Sequence, residues 1–362
     1  MNQWVEIGEQ VARTTLVGDE VFYPLPANVL KPKFNPTDEP RPEYRGGDSG
    51  QGNLSVRRTS SQWTHDLEFY LRPIQAVGLL LKHALGKTTT RSAVDTSAFG
   101  GMLYPENQPF GTGLTLGDKA LAIKVHYDDG AGGTKQRTYY GGRITKVSVA
   151  GEGSQEWKMT ISLAGPGPCL SAPAAAGAVP DFSALPSPFV FSESLFYIGS
   201  GIGRTGVAPD FTALDPNTMV AFVPDSCSID IDLGRSDKTV ANGINAPTKT
   251  TKESQLAVKV SCPLDLEDPS TGFSSRDEVD ALISGVRQNS LLVVLDNGEV
   301  CGSTTQTYQY MIDLSALYLG PAAEEFSTEG KSPRTTLEYS SLYSDTTKYA
   351  VGFYTVDAEA TY

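Results

Sequence analysis

The chain has 362 residues, a formal net charge of −13, 36 glycines and 23 prolines. That length suits two domains with cores of their own, and the Gly and Pro content suits a turn-rich β protein rather than a helical one. The acidic balance excludes a phosphate-neutralising nucleic-acid surface, which needs clustered Lys and Arg, and would instead repel DNA.

The opening MNQWVEIGEQ has no basic segment ahead of an apolar core, so no secretory signal is expected. No apolar run approaches the roughly 20 residues of a membrane helix. Residues 4–29 alternate weakly and then meet PLPANVLKPKFNPTDEPRPEYRGGDSGQG. Proline denies ladder hydrogen bonds and glycine loosens the chain, so residues 31–59 are expected to form an extended arm or long loop that orders against a neighbouring molecule. Lys31, Pro32, Phe34, Pro36, Pro40, Pro42, Tyr44 and Arg45 are its candidate contact residues.

Gln62 to Arg72 reads as a strand with His65, Leu67, Phe69 and Leu71 on one face and Asp66, Glu68 and Tyr70 on the other. Pro73 is placed as the first helical residue. Ile74, Val77, Leu80, Leu81 and Leu85 follow at helical spacing, with Gly86 as the left-handed stop. The Thr-, Ser- and Gly-rich stretch from Lys87 to Lys119 is expected to be a loop excursion. Strands LAIKVHYDDG and TYYGGRITKVSVAGEGSQEWKMTISLAG close the first half, and GPGPCLSAPAAAGAVPDFSALPSP reads as a linker. The domains expected are 1–165, with the linker at 166–187, and 188–362.

After the linker, PFVFSESLFYIG is expected to pair with MVAFVPDSCSIDIDLG across a loop from Ser200 to Asn217. Asp230 and Asp232 alternate with Ile229, Ile231 and Leu233. Then the order of the first half returns: strand KESQLAVKVSC, Pro263, helix SSRDEVDALISGVRQ with a capping box at Ser275 and Glu278, strand SLLVVLDNG and a closing strand pair. The match lies in element order and in the turns Asp129-Gly130 and Asn297-Gly298, with little identity. Such a duplication suits a ring or tube of quasi-equivalent units.

Catalytic motifs fail on their context. Gly201, Gly203 and Gly206 match GxGxxG, but VAPDF with Pro209 follows where a helix N-terminus is needed. Gly86-Lys87-Thr88 and Gly330-Lys331-Ser332 lack the first P-loop glycine, since Leu81 and Glu325 stand there. His65, His83 and His126 are scattered, and His65 reads as a hydrogen-bonded core residue. The four cysteines have no CxxC spacing; they are expected as reduced thiols, with Cys227 and Cys262 as candidate neighbours. No catalytic, cofactor or metal residue is assigned. Asp66, Glu68, Asp230 and Asp232 lie opposite apolar faces, so they sit on a solvated face that either lines a lumen or aids solubility.

WVEIGEQVARTTLVGDEVFYPLP, LLLKHALG, GGRITKVSVAGEGSQEWKMTISLAG, PFVFSESLFYIG, SCSIDIDLG and SQLAVKVSCPLDLED together resemble the major tail tube proteins of long non-contractile-tailed bacteriophages. The resemblance implies a mainly β fold with flanking α-helices: two tandem tail-tube-type β-sandwich domains, each with one short helix, whose inner sheets join those of neighbours into a barrel. It implies a non-enzymatic virion protein, assembled in the host cytoplasm, that forms pseudo-hexameric rings of three chains stacked into a tube. Its partners would be further copies, a tape-measure protein, and the tail terminator and distal tail proteins. DNA would pass through the lumen without specific binding, with no cofactor and no membrane. The alternatives are another virion β-structural part (a tail terminator or capsid decoration protein) and a glycan-binding sandwich module.

Overall fold

The computed structural model describes all residues except 1–3, 12–19, 44–52, 107–118, 129, 132, 168–173, 176, 239–248, 268, 270, 286–287, 303–304, 321–322 and 326–331. Strand accounts for 60% and helix for 9%, so the fold is mainly β with two helices.

The first half runs β1 (Trp4–Gln10), β2 (Phe22–Leu25), β3 (Val29–Glu43), β4 (Asn53–Tyr70) and α1 (Gln75–Leu85). Next come β5 (Gly86–Thr88), β6 (Ser92–Asp95), β7 (Ala98–Pro105), β8 (Ala120–Asp128), β9 (Thr134–Glu152), β10 (Lys158–Pro166) and β11 (Ala174–Ala175). The second half runs β12 (Leu195–Gly199), β13 (Gly203–Val207), β14 (Asp210–Asp215), β15 (Val220–Phe222), β16 (Ser226–Asp232), β17 (Arg235–Lys238), β18 (Lys249–Lys252) and β19 (Ala257–Asp265). Then follow α2 (Ser275–Ser284), β20 (Gln288–Val300), β21 (Thr307–Leu319), β22 (Ala323–Glu325), β23 (Arg334–Ser341) and β24 (Gly352–Asp357).

The repeat is carried by the ladders. In the first half β1 pairs β2 and β8, β8 pairs β9, β9 pairs β10, β10 pairs β4, and β4 pairs β3. In the second half β12 pairs β15 and β20, β20 pairs β21, β21 and β22 pair β23, β23 pairs β19, and β19 pairs β16. Two backbone hydrogen bonds outside the regular ladders recur at matching places. Asn28 N donates to Glu68 O as Asp225 N does to Pro263 O, and Leu71 N donates to Trp157 O as Leu266 N does to Pro333 O. These bonds set the offset between matching strands: Asn28 with Asp225, Glu68 with Pro263, Leu71 with Leu266 and Trp157 with Pro333.

The units are also joined. β16 pairs β9 along its whole length, and β24 pairs both β21 and β7. One apolar cluster therefore runs through both halves, from Val5 and Trp63 to Ile229, Leu291 and Phe353. The second joint holds a buried ion pair. Arg91 Nη2 lies 2.7 Å from Asp357 Oδ1, and the guanidinium also donates to Phe99 O, Thr355 Oγ1 and Glu359 O. So many partners are what make burial of an arginine tolerable.

Helix α1 is buried on nearly every side because the last residues of the chain cover the face that the sheets leave. Gln75 Nε2 donates to Thr361 O and Lys82 Nζ to Tyr362 O. A Cβ at Gly78 would stand 2.0 Å from the Tyr362 ring, so any larger residue here would have to displace that ring. Gly86, at φ +97°, ends the helix as expected. Truncating Leu80, which has no exposed surface, would cost about 2–5 kcal/mol.

Several expectations are corrected. Helix α1 begins at Gln75 with Ile74 as its cap, so Pro73 precedes it. Helix α2 is capped by Ser274, whose side chain accepts from Asp277 N. Ser275 instead ties Glu267 N and Asp265 O, and Glu278 accepts from Asn289 Nδ2. Between Gly86 and Pro105 the chain forms three strands, β5, β6 and β7, because β5 and β6 pair β7 and the C-terminal β24 supplies a further ladder for β7. The Ser200–Asn217 loop contains the hairpin β13–β14, and Gly203 and Gly206 lie on its first strand. β12 pairs β15, while β16 leaves that hairpin for β9. The segment 29–43 is also a strand, laddered to β4. Cys227 and Cys262 are neighbours, as expected, with free thiols 3.6 Å apart.

His65 is 1% exposed, and among the described residues its ring nitrogens have no hydrogen-bond partner. It is therefore a core residue, packed near Tyr139, without the hydrogen bond expected of it. Burial lowers its pKa from 6.5 to about 4, with Asp66 opposing weakly, and burial lowers His83 likewise to about 4 against a hydrogen bond to Glu9. At neutral pH both rings are uncharged whether the chain is folded or unfolded. As the pH falls from 6.5 toward 4, only the unfolded chain takes up the protons, so stability is lost across that window, by about 3 kcal/mol per histidine at its lower end. Denaturant titrations should show this slope, and His65→Leu should remove its share. An unchanged slope in the variant would mean that His65 is not the group that titrates.

Candidate assembly face and edges

The β9–β16 joint makes one continuous antiparallel sheet in the order β3, β4, β10, β9, β16, β19, β23, β22. Its inner face carries Leu67, Phe69, Val147, Val149, Ile229, Ile231, Val258 and Val260, all buried. Alternation puts the other residues of these strands on the opposite face.

All four acids singled out from the sequence lie on that opposite face. Glu68, Thr160, Ser148, Asp230 and Lys259 form one cross-strand row, and Asp66, Ser162, Lys146 and Asp232 the next. The two pairs of acids are three strand spacings apart, about 14 Å. Asp66 and Asp232 are exposed, and Glu68 and Asp230 half-exposed. Asp66 accepts from Ser162 Oγ at 2.8 Å, Asp232 accepts from Gly234 N at 2.9 Å, and Lys146 Nζ lies 3.3 Å from Asp230.

Sequence reasoning passed over the cations that share this face: Lys146, Lys158, Lys259 and Arg334. From β4 to β23, among residues whose side chains are described, the face holds seven carboxylates (Asp66, Glu68, Glu152, Asp230, Asp232, Asp265 and Glu338) against those four cations, a balance of −3. The alternation in TKVSVAGE and AVKVSC was the available signal. The face is acidic, but by much less than the whole-chain charge suggests.

The arm residues fall on the outer strand of this sheet. Lys31, Pro32, Phe34, Pro36, Pro40 and Pro42 belong to β3, which is laddered to β4 from Val29 to Glu43. Tyr44 and Arg45 lie outside the described residues. The extended arm is thus one leg of a long hairpin, and the backbone explains why its prolines do not break it. Leu71 N bonds Trp157 O and Gly167 N bonds Ser61 O, so odd-numbered β4 residues point their backbone groups at β10 and even-numbered ones at β3. With Val29 opposite Glu68 and Lys31 opposite Asp66, odd-numbered β3 residues bond β4. The irregularity near Thr37 adds its extra residue to β4, so the alternation of β3 continues. Pro32, Pro36, Pro40 and Pro42 are all even, and each missing N–H falls on the outer edge, where proline is tolerated.

Among the described residues, β3 pairs β4 alone and β22 pairs β23 alone, so the sheet ends in two open edges. The histidines sit apart: His83 lies 3.0 Å from Glu9, and His126 stacks on Trp4 near Glu6. Burial alone would raise the Glu9 carboxyl, but bonds from His83, Lys82 and Lys119 hold it well below the usual range. No group of three or more His, Cys, Asp or Glu is placed to hold a metal among the described residues. No family model and no curated protein matches the chain.

Proline on an open edge blocks unwanted strand addition. Pro36→Thr/Pro40→Thr/Pro42→Thr restores three outward donors and should raise light scattering and fibrous aggregation on concentration. Unaltered solubility would show that the edge is protected by other means.

Proposed function

We propose that the protein is a structural subunit of a phage tail tube. Chains associate side by side into rings, rings stack into a hollow tube, and viral DNA passes through it at ejection. The observation that supports this reading best is the sheet itself. Two units with the same ladder order share one sheet through β9 and β16, and that sheet ends in two different open edges. Unlike edges give a head-to-tail contact, and such contacts generate rings when the rotation closes. Three chains would supply six quasi-equivalent units. Closure also removes the edges, which an isolated sheet must otherwise protect.

In this reading the two units are tandem tube domains and the polar face lines the lumen. Its modest net acidity keeps phosphate from adhering, with a reach of about 8 Å at physiological salt. The outer part of the β3–β4 hairpin reaches a neighbouring ring, and a tape-measure protein occupies the lumen during assembly. The resemblance supplies that last element.

Electron microscopy of the purified protein, with native mass spectrometry, tests the assembly. Stacked rings of three chains are expected. Rings that never stack would favour a tail terminator, and compact particles without a channel would favour a binding module. The lumen assignment has its own test. Changing Asp66, Glu68, Asp230 and Asp232 to Lys should leave tubes intact while slowing DNA passage in a salt-dependent way. Passage that is unchanged at every salt concentration would remove the electrostatic role and leave the tube reading in place.

A further inference from the structure

The joint inside the chain is a template for the joint between chains. β9 and β16 meet with Ser228 opposite Ala150 and Asp230 opposite Ser148. The recurring backbone bonds match Asn28 to Asp225 and Trp157 to Pro333. Along β3, Lys31 then corresponds to Ser228 and Lys33 to Asp230. Along the other edge, Lys158 corresponds to Arg334. Because Lys158 pairs Ala150 and Arg334 pairs Glu325, Glu325 corresponds to Ala150 and Ala323 to Ser148.

We infer that the start of β3 pairs with β22 of a second copy of this chain in this same antiparallel register, with Lys31 opposite Glu325 and Lys33 opposite Ala323. The inference rests on the ring reading above and adds which strands meet, in what register and with what selectivity. Charge complementarity favours this occupant. In the internal joint a lysine faces two aspartates, since Lys146 stands opposite Asp232 and bonds Asp230 at 3.3 Å. In the joint between chains the polarity reverses, and Glu325 faces Lys31 with Lys33 on the diagonal. Cross-strand and diagonal neighbours on one face are within reach of long side chains. Lys33 and Glu325 are both exposed in the single chain.

The reversal also discriminates between edges. A β3 strand set on β9 would bring Lys33 next to Lys146, and a β16 strand set on β22 would bring Asp230 next to Glu325. Both wrong pairings juxtapose like charges, so each edge rejects the other joint's partner. The backbone makes this selectivity matter. β16 turns its odd-numbered residues toward β9, as Gly153 N to Asp225 O and Leu233 N to Thr145 O show. The corresponding β3 residues include Pro32 and Pro36, which have no N–H to donate. The ladder between chains is therefore poorer in donors than the internal one, and the side-chain pairs carry more of its specificity.

Facing residues of odd number on β3 form the closer, non-hydrogen-bonded kind of pair, which suits a disulfide. The test is the full-length double variant Lys33→Cys/Ala323→Cys under mild oxidation, beside each single variant. Covalent multimers on a non-reducing gel, from the double variant only, are expected. A second arm uses charge alone. Glu325→Lys should raise the concentration for half-assembly by about tenfold or more, and adding Lys31→Glu and Lys33→Glu should restore it. Wild-type rings together with no cross-link, or a Glu325→Lys protein that assembles normally, would overturn this register and leave the ring reading standing. A wild-type chain that stays monomeric at high concentration would overturn both.

Discussion

The structure depends on the ladder between β9 and β16. Through it the sheets of the two units become one, with seven residue pairs from Ser226–Glu152 to Asp232–Lys146. The constraint is the obligation of every buried backbone donor and acceptor to find a partner. An edge strand can meet it with a neighbour, with water, or by discarding donors. β16 meets it with β9, whereas β3, its counterpart, discards donors at four prolines. The same position in the repeat is thus solved in two ways, and the difference marks which joint lies inside the chain and which edge is left open.

A second tie keeps the two units from acting as independent bodies. β24 bridges β21 and β7, Arg91 and Asp357 form a buried pair across that contact, and the last residues pack on α1 of the first unit. A single buried cluster spans both halves. In the proposed ring such coupling would hold the two edges at a fixed angle. The 166–187 segment is itself tied to the first unit. β11 within it pairs β9, and Trp157 N bonds Phe189 O just beyond it.

Several chemistry-bearing residues have structural surroundings. His65 is packed near Tyr139 with no hydrogen-bond partner among the described residues, His83 is hydrogen-bonded to Glu9, and Cys227 and Cys262 are buried against each other. The hydrogen bond shared with Cys262 and burial push the Cys227 thiol well above its usual value, which leaves it a poor nucleophile. What remains on the surface is a polar face of alternating Asp, Glu, Lys, Ser and Thr, which suits a hydrated wall.

The sequence by itself determined the strand alternation that faces Asp66, Glu68, Asp230 and Asp232 away from the core, both helices, the Gly86 stop and the order of elements that repeats. These are local: period-two and period-3.6 patterns and a left-handed cap are written within a few residues of where they act. Only the tertiary structure decided that residues 29–43 form a strand, that β5, β6 and β7 form between Gly86 and Pro105, and that β16 turns to β9 and not to β12. In each case the ladder partner lies elsewhere in the chain, or the effect depends on which edge a backbone group faces. Composition cannot express either. Four prolines read as a loop until the register puts every missing N–H on the one side where none is needed.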